Sequence, residues 1–251
     1  MEDSKNVRKN RTIRAAAGAA PSRAHFSKVI KNTILSSLPA REFSLLSPHL
    51  QQEVFESHSI LHEAGEPIQF AYFLNEGLAS LVILTREGKS VEVAVVGSEG
   101  LTGIPLTVGI DRGPYRVIMQ SPGSGFKVKA ESLMQVLRSA PELHRLLDRY
   151  SLVQGLQIAQ IAACNRLHEI DQRLARWLLM CQDRVNSDLL PVTHEFLGQM
   201  LGAGRPSVSL AAGTLQRAGL ITNLRGKVRI QDRKSLEQAA CECYRAILAF
   251  A

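Results

Sequence analysis

A change of hydrophobic period near residue 130 is the feature that most limits how this chain can fold. Before it, short β-branched and aromatic runs alternate with turn residues. After it, apolar residues recur about every 3.6 positions, and residues 142–166 form one long helical pattern without an internal proline. Many short strands predict a sandwich or barrel. We therefore expect an α+β chain with an N-terminal β domain and a helical C-terminal half.

The predicted strands are short and are bounded by clusters of Gly, Pro, Asn and Asp. They lie at residues 55–61, 70–75, 78–85, 90–96, 116–120 and 125–128. The segments 75–77 and 121–123 are interpreted as turns between them. In this scheme residues 28–141 form the β domain, residues 142–166 the long helix, and residues 167–251 a second domain.

The two ends of the chain differ in character. Residues 1–27 combine Lys and Arg with Ala, Gly and Ser and contain few large apolar side chains, which predicts a disordered basic tail. No segment of the 251 residues approaches the roughly 20 apolar positions that a membrane helix needs. We therefore expect a cytoplasmic protein that makes no membrane contact.

The long helix carries an apolar stripe and lies between two domains. A stripe of this kind is often the core face of a single chain. Its length and its interdomain position favour pairing with a second copy of the same helix in a homodimer. The predicted dimer interface consists of Leu143, Leu147, Tyr150, Val153, Leu156 and Ile161.

A helix, a glycine turn and a second helix follow in residues 193–217. Thr193 is suited to cap the first helix, and residues 202–204 read Gly-Ala-Gly. Arg205 and Pro206 open the second helix, where proline is tolerated in the first turn. Residues 221–223 and 226–230 then predict a β-hairpin wing. This order is typical of a winged helix-turn-helix.

The charge of this segment fits a polyanionic partner. Residues 190–234 hold seven Lys and Arg against two acidic side chains. We expect the second helix to enter the major groove of double-stranded DNA and to read bases through Arg205, Ser207 and Ser209. The predicted phosphate contacts are Thr193, Gln199, Arg225 and Lys227.

Several motifs resemble one known family, the cyclic-AMP receptor protein and fumarate-nitrate regulator superfamily of bacterial transcription factors. The resemblance covers about residues 32–232 and is strongest in RLARWL (173–178), GQMLG (198–202), RPSV (205–208) and YFLNEG (72–77). It implies a cyclic-nucleotide-binding-like β-roll (a double-stranded β-helix), a dimerisation helix and a winged helix-turn-helix. It also implies a homodimer on a pseudo-palindromic operator, an effector in the β-roll and, for an activator, contact with RNA polymerase.

The chain departs from this family where the effector would bind. Cyclic-nucleotide-binding members hold the ribose with Gly-Glu and the phosphate with Arg-Ser or Arg-Thr. Here the matching positions are Gly103 and Ile104, followed by Gly113-Pro114 and then Tyr115 and Arg116. We therefore predict an effector pocket at Gly103, Ile104, Tyr115 and Arg116 that does not bind cyclic AMP, and the effector remains unidentified.

Two other classes of protein stay open from the sequence. A metal-dependent enzyme built on the β domain would use His58 and His62, which share a face in the predicted strand, with Glu63 and Glu66 nearby. The usual histidine spacing is missing, so we expect no catalytic residues and no metal. A ligand-binding module that has lost DNA binding is the other alternative.

The cysteines complete the sequence analysis. Cys164, Cys181, Cys241 and Cys243 lack the paired spacing of a zinc site, which predicts a structural role and no cofactor. Cys241 and Cys243 are two positions apart in a predicted helix, so their side chains are expected to point away from each other.

Overall fold

The computed structural model describes residues 30–250, so the predicted basic tail at residues 1–27 lies outside the described residues. The first part of the described chain is rich in strands and begins with a capped helix, in which Asn32 accepts a hydrogen bond from the Leu35 amide at 3.2 Å. The elements in order are α1 (Thr33–Ser37), α2 (Ala40–Leu46), β1 (Gln51–Phe55), β2 (Ile60–His62), β3 (Phe70–Leu84), β4 (Ser90–Val96), β5 (Leu101–Thr102) and β6 (Arg116–Lys129). Short 3-10 helices cover Ser47–His49 and Ile104–Val108.

These strands form one antiparallel sheet, the β-roll. Its order is β1-β6-β3-β4, with β2 pairing with β6 and β5 pairing with β3. The long strands β3 and β6 pair along most of their length, from Phe70 opposite Lys129 to Val82 opposite Arg116. The interior of the roll is filled by apolar side chains, including Leu74, Leu81, Ala94, Val117 and Met119.

The predicted turns at residues 75–77 and 121–123 are wrong. Both segments lie inside continuous strands and oppose each other, where the β3–β6 register shifts. A Cβ on Gly123 would lie 2.0 Å from the Glu76 carbonyl oxygen, and Gly77 has φ +92. The glycines are therefore needed because the two irregular strand backbones come very close together here. In the sequence, glycines in such a strand irregularity look the same as glycines in a turn.

Helices dominate the second half. They are α3 (Ala130–Leu137), α4 (Pro141–Leu167), α5 (Ile170–Val185), α6 (His194–Leu201), α7 (Arg205–Arg217), α8 (Arg233–Ala239) and α9 (Cys243–Leu248). Strands β7 (Leu189–Leu190), β8 (Ile221–Leu224) and β9 (Lys227–Ile230) form a small sheet in the order β7-β9-β8. Helix α4 contains the predicted helix 142–166 and is one residue longer at each end.

Three residues of the predicted dimer interface are buried within the protomer, which corrects that prediction. Leu143 and Leu147 have no exposed surface and pack with the N-terminal helices and the roll, and Ile161 is 3% exposed in the core shared with α5. Tyr150 packs against both of the roll's clusters. The apolar stripe could not distinguish these cases, because helices that pack on a partner helix and helices that pack on their own core have the same spacing of apolar residues.

The helix-turn-helix packs directly on the roll. Leu78, Val82 and Val95 of the roll belong to the same apolar cluster as the buried faces of α5, α6 and α7. Polar contacts cross the same boundary, since Arg184 of α5 pairs with Glu99 of the β4–β5 loop at 2.7 Å. The roll and the helix-turn-helix are therefore in direct contact, although three helices separate them in the sequence.

Candidate nucleic-acid interface

The turn between α6 and α7 has the geometry that its glycines predict. The Thr193 side chain accepts a hydrogen bond from the Phe196 amide at 3.1 Å and so caps α6, as expected. Gly202 ends the helix in the left-handed region with φ +59. A Cβ on Gly198 would lie 2.8 Å from the Ala203 carbonyl oxygen. These residues therefore allow α7 to begin directly after a three-residue turn.

The start of α7 presents polar side chains to solvent. Arg205 is the first residue of the helix, and Arg205, Ser207 and Ser209 are all exposed. Val208 and Ala212 are fully buried on the opposite face and hold the helix in place. The three predicted base-reading residues thus lie on one exposed helix.

The Ser209 hydroxyl takes part in a chain of hydrogen bonds. Its Oγ lies 3.0 Å from Nδ1 of His194, whose Nε2 lies 3.2 Å from Oδ1 of Asn223 in the wing. Asn223 also donates its backbone N–H to Oε1 of Gln216 at 2.7 Å. His194 and Asn223 thereby fix α6, α7 and the wing to one another. Sequence reasoning missed both residues because the contacts join segments up to 29 positions apart.

The other predicted phosphate contacts surround this helix. Gln199 is exposed near the end of α6, and Arg225 and Lys227 are exposed at the turn between β8 and β9, where Gly226 has φ +71. Arg229 is a further exposed cation on β9. Arg205 lines two clefts, one of about 470 Å³ toward the wing and one of about 580 Å³ toward the β3–β4 turn. Arg205 and the wing residues Leu224 and Gly226 therefore share one open cleft, and Arg225 between them is exposed.

The four residues of the predicted effector pocket do not line a common pocket in the described part of the chain. Ile104 begins a 3-10 helix and packs with the apolar cluster beside α2 and α4, next to Gly103 with φ +88. Tyr115 packs inside the roll in a different cluster. Arg116 is held by Glu63, with its Nε 2.9 Å and 3.1 Å from the two carboxylate oxygens. That ion pair keeps the pKa of Glu63 below its usual value.

A cavity of about 350 Å³ lies instead beside the long helix. Within residues 30–250, the amide nitrogen of buried Gln157 has no hydrogen-bond partner. Burial raises the pKa of Tyr150, and the Glu99 carboxylate adds to the rise. The lining includes Glu99, Tyr150, Gln154, Gln157, Arg184 and Phe250.

His58 and His62, the two histidines that a metal-dependent enzyme would use, lie in different elements. His58 lies in a turn with φ 66 and contacts the Phe196 ring at 5.9 Å. His62 is 7% exposed, its Nε2 is 3.0 Å from Oγ1 of Thr102, and burial lowers its pKa to about 4. The shared strand face predicted for the two is wrong, because the chain turns between Phe55 and Ile60.

Comparison with known families agrees with this architecture. The cyclic nucleotide-binding domain family matches residues 52–140, and the Crp-like helix-turn-helix domain family matches residues 172–239. The two matched regions are the roll and the winged helix-turn-helix. The chain belongs to the Crp/Fnr superfamily. The resemblance inferred from the sequence motifs and the predicted fold class are therefore confirmed.

Individual Crp/Fnr relatives are transcription regulators. The chain is 22% identical over 196 residues to the global nitrogen regulator of Synechocystis sp., and this alignment covers 74% of this chain and 87% of the relative. It is 25% identical over 201 residues to the transcriptional regulator LdrP of Thermus thermophilus, covering 74% and 95%.

Solved structures show the same fold. A Crp/Fnr-family transcriptional regulator from Eubacterium rectale matches with a TM-score of 0.67 and 17% identity, covering 82% of this chain and 97% of that one. FixK2 from Bradyrhizobium japonicum matches with a TM-score of 0.66 and 15% identity, covering 76% and 98%. Across the described helices, none is both long and apolar enough to span a membrane.

Proposed function

We propose that this Crp/Fnr regulator acts as a homodimer that binds a pseudo-palindromic DNA site through α7 and the wing. The observation that carries the proposal is the exposed Arg205 at the first position of α7, which shares a cleft with Leu224 and Gly226 of the wing. A helix-turn-helix inserts the N-terminal part of its second helix into the major groove. The exposed cations are suited to neutralise the phosphates on either side.

Different residues are suited to bases and to phosphates. Arg205 is able to donate two parallel hydrogen bonds to the acceptors of a guanine. Leu210 is 69% exposed on α7 and offers an apolar surface to a thymine methyl group. Ser207 remains a candidate base contact, whereas the bond to His194 makes Ser209 better suited to hold the unit rigid. Thr193, Gln199, Arg225 and Lys227 are assigned to phosphates.

The dimer seam is proposed on the face of α4 that points away from the core. Leu152 is 67% exposed and Leu156 is 40% exposed. Ala159 and Ala163 continue the same face at exposed positions, and a Cβ on Gly155 would meet no atom within 4 Å. The steps of four, three and four residues from 152 to 163 are those of a coiled-coil seam. Leu156, already in the predicted interface, therefore stays in it, and Leu152 joins it.

Control by an effector is proposed at the cavity beside α4. Its apolar walls favour an amphipathic small molecule, and the unpartnered amide of Gln157 favours a hydrogen-bond acceptor on it. Arg184 lines this cavity and pairs with Glu99 across the boundary between helix-turn-helix and roll. A molecule bound there would contact the residues that join the two parts. Thermal-shift screening should give hits that bind Gln157→Leu more weakly, and hits that bind both proteins equally would place the effector elsewhere.

Selection of bound duplexes from a random DNA pool tests the function. The full-length protein should enrich a palindrome whose two halves lie about one helical turn apart. A variant with Arg205, Arg225 and Lys227 replaced by Ala serves as the control and should enrich nothing. Enrichment of a single half-site would contradict the dimer, and failure of the wild type to enrich any sequence would favour a ligand-binding module without DNA binding.

A further inference from the structure

Four potential metal ligands meet where the long helix ends. Cys164 lies in the last turn of α4, and His168 directly follows that helix. Cys241 lies in the link between α8 and α9, and Cys243 is the first residue of α9. One ligand atom from each of the four falls within 4.8 Å of every other. Side chains more than 70 positions apart in sequence therefore converge on one point.

The sequence-based expectation for the two C-terminal cysteines is wrong here. Cys241 precedes α9 and is not part of a helix with Cys243, so the two side chains are not held on opposite sides of one. The spacing of the cysteines in the sequence predicts neither the contact between Cys164 and Cys241 nor the break in the helix before Cys243. The group was therefore not recognisable as a set of ligands in the sequence.

Two distances between ligand atoms lie close to those of a tetrahedral zinc site. Sγ of Cys164 is 3.4 Å from Sγ of Cys241, and Sγ of Cys243 is 3.6 Å from Nδ1 of His168. Ligand bonds of about 2.3 Å for sulfur and about 2.1 Å for nitrogen place the corners of a tetrahedral zinc site about 3.5–3.8 Å apart. All four cysteines of the chain are free thiols, so no disulfide competes for these sulfur atoms in the structure.

Neighbouring residues orient the ligands as they do around bound metals. The Nε2 of His168 faces Oε1 of Glu242 at 3.2 Å, which leaves Nδ1 toward the sulfur atoms. A carboxylate on the far nitrogen of a histidine is the usual partner of a metal-bound imidazole. Gln160 donates its amide N–H to Sγ of Cys243 at 3.1 Å.

Burial indicates the kind of site. The three cysteines are at most 4% exposed, and the His168 side chain is 16% exposed. Four protein ligands with no position open to water are typical of structural zinc, whereas catalytic zinc keeps one position for a water molecule. Three thiolates and one imidazole would give the zinc complex a net negative charge, and Arg176 supplies a positive charge near it.

We propose that Cys164, His168, Cys241 and Cys243 bind one Zn²⁺ ion in a closed tetrahedral site. The ion fastens the segment that leads into α9 to the end of α4. Since α9 also packs against α4, and Ile247 of α9 lines the cavity, the metal fixes one wall of that cavity. This inference does not depend on DNA binding or on the identity of the effector.

Metal content of the full-length protein is the first test. After expression with ZnCl₂ and gel filtration under reducing conditions, mass spectrometry should find one zinc per chain. Replacing zinc with CoCl₂ should produce sulfur-to-cobalt charge-transfer bands and the strong visible bands of tetrahedral cobalt. Chelation should expose the segment around residue 240 to protease.

Variants separate these ligands from the remaining cysteine. The double substitution Cys164→Ser and Cys243→Ser should abolish zinc binding and the cobalt spectrum. Cys181→Ser is the matched control, because Cys181 lies on α5 with its thiol directed to Gln120 at 3.7 Å, and it should keep the full metal content. Circular dichroism of each variant reports whether it is folded.

A surface variant gives a graded result that unfolding would not mimic. Glu242→Ala removes an exposed carboxylate and should weaken zinc binding about 10–100-fold in competition with a chelator. Glu131→Ala, an exposed carboxylate on α3, should leave the affinity unchanged. Absence of stoichiometric zinc and of cobalt charge transfer in the reduced wild type would overturn the proposal. Retention of zinc by the Cys164→Ser, Cys243→Ser protein, or a Cys164–Cys241 disulfide that forms in preference to metal binding, would also overturn it.

Discussion

The indole N–H of Trp177 donates a hydrogen bond to the carboxylate of Glu92 at 2.9 Å and so joins α5 to strand β4 of the roll. Both side chains are buried. The same carboxylate accepts hydrogen bonds from Ser80 at 2.7 Å and Gln120 at 2.6 Å, both on roll strands. Glu92 is thus the centre of a buried polar network at the boundary between roll and helix-turn-helix.

The ionisation of Glu92 should make stability depend on pH. Burial raises its pKa to about 7, although hydrogen bonds from Ser80 and Trp177 and the charges of Arg176 and Arg184 oppose the rise. The folded state therefore holds this proton more tightly than the unfolded state, whose pKa is near 4.5. The contribution of Glu92 is most favourable below about pH 4.5 and is lost as pH rises to about 7, a change on the order of 3 kcal/mol.

Glu92→Gln isolates that dependence. The free energy of unfolding of the wild type, relative to the variant, should fall between pH 5 and 7.5 and stay level above that range. Urea unfolding at several pH values measures it, with Glu131→Gln as an exposed control. Parallel pH profiles for wild type and Glu92→Gln would show that Glu92 does not titrate in this range.

The seam on α4 gives a prediction about assembly. Leu156→Asp places a charge at an exposed position of the protomer, so the fold should survive while the dimer dissociates, because unpaired like charges would face each other across the seam. Sedimentation should report monomers. Leu147→Asp, by contrast, buries a charge in the protomer core and should unfold it. A dimer of unchanged affinity in Leu156→Asp would rule out this seam.

The sequence predicted features that depend on neighbouring residues better than features that depend on long-range packing. Thr193 and Gly202 act within a few residues, so the helix-turn-helix followed from the cap and the glycine turn. Leu147 and Leu156 both belong to the apolar stripe predicted for the long helix. In the structure Leu147 is buried in the core, whereas Leu156 is exposed to solvent. Only packing against the roll decides between them. The group around Cys164 and Cys241 required the same three-dimensional information.

The roll should not respond to cyclic AMP. Ile104 has no carboxylate for the ribose, Pro114 has no guanidinium for the phosphate, and Arg116 is already paired with Glu63 at 2.9 Å. Titration calorimetry should show no heat of saturable binding, with a cyclic-AMP-binding member of the family as positive control. Saturable micromolar binding would mean that Arg116 leaves Glu63 for the ligand.

Arg205→Ala should reduce sequence discrimination. The substitution removes a side chain able to bond two acceptors of one guanine, so it should cost on the order of 1–3 kcal/mol per half-site. Preference should be relaxed at one base pair in each half of the operator. Binding curves on the selected operator and on single-base variants of it measure both effects. If the variant loses affinity equally on every sequence, Arg205 is a phosphate contact and other α7 residues or DNA shape must provide specificity.

Lys227→Ala should fail in a different way, because a lysine on the wing that neutralises a phosphate carries no sequence information. Affinity for the operator and for random duplexes should fall by the same factor. The plot of log affinity against log salt should become shallower by about one unit for each lost contact. Lys234→Ala, on α8, is a control that removes the same charge away from the wing. A salt series on both duplexes decides the assignment: an unchanged slope for Lys227→Ala would place the wing away from the DNA backbone.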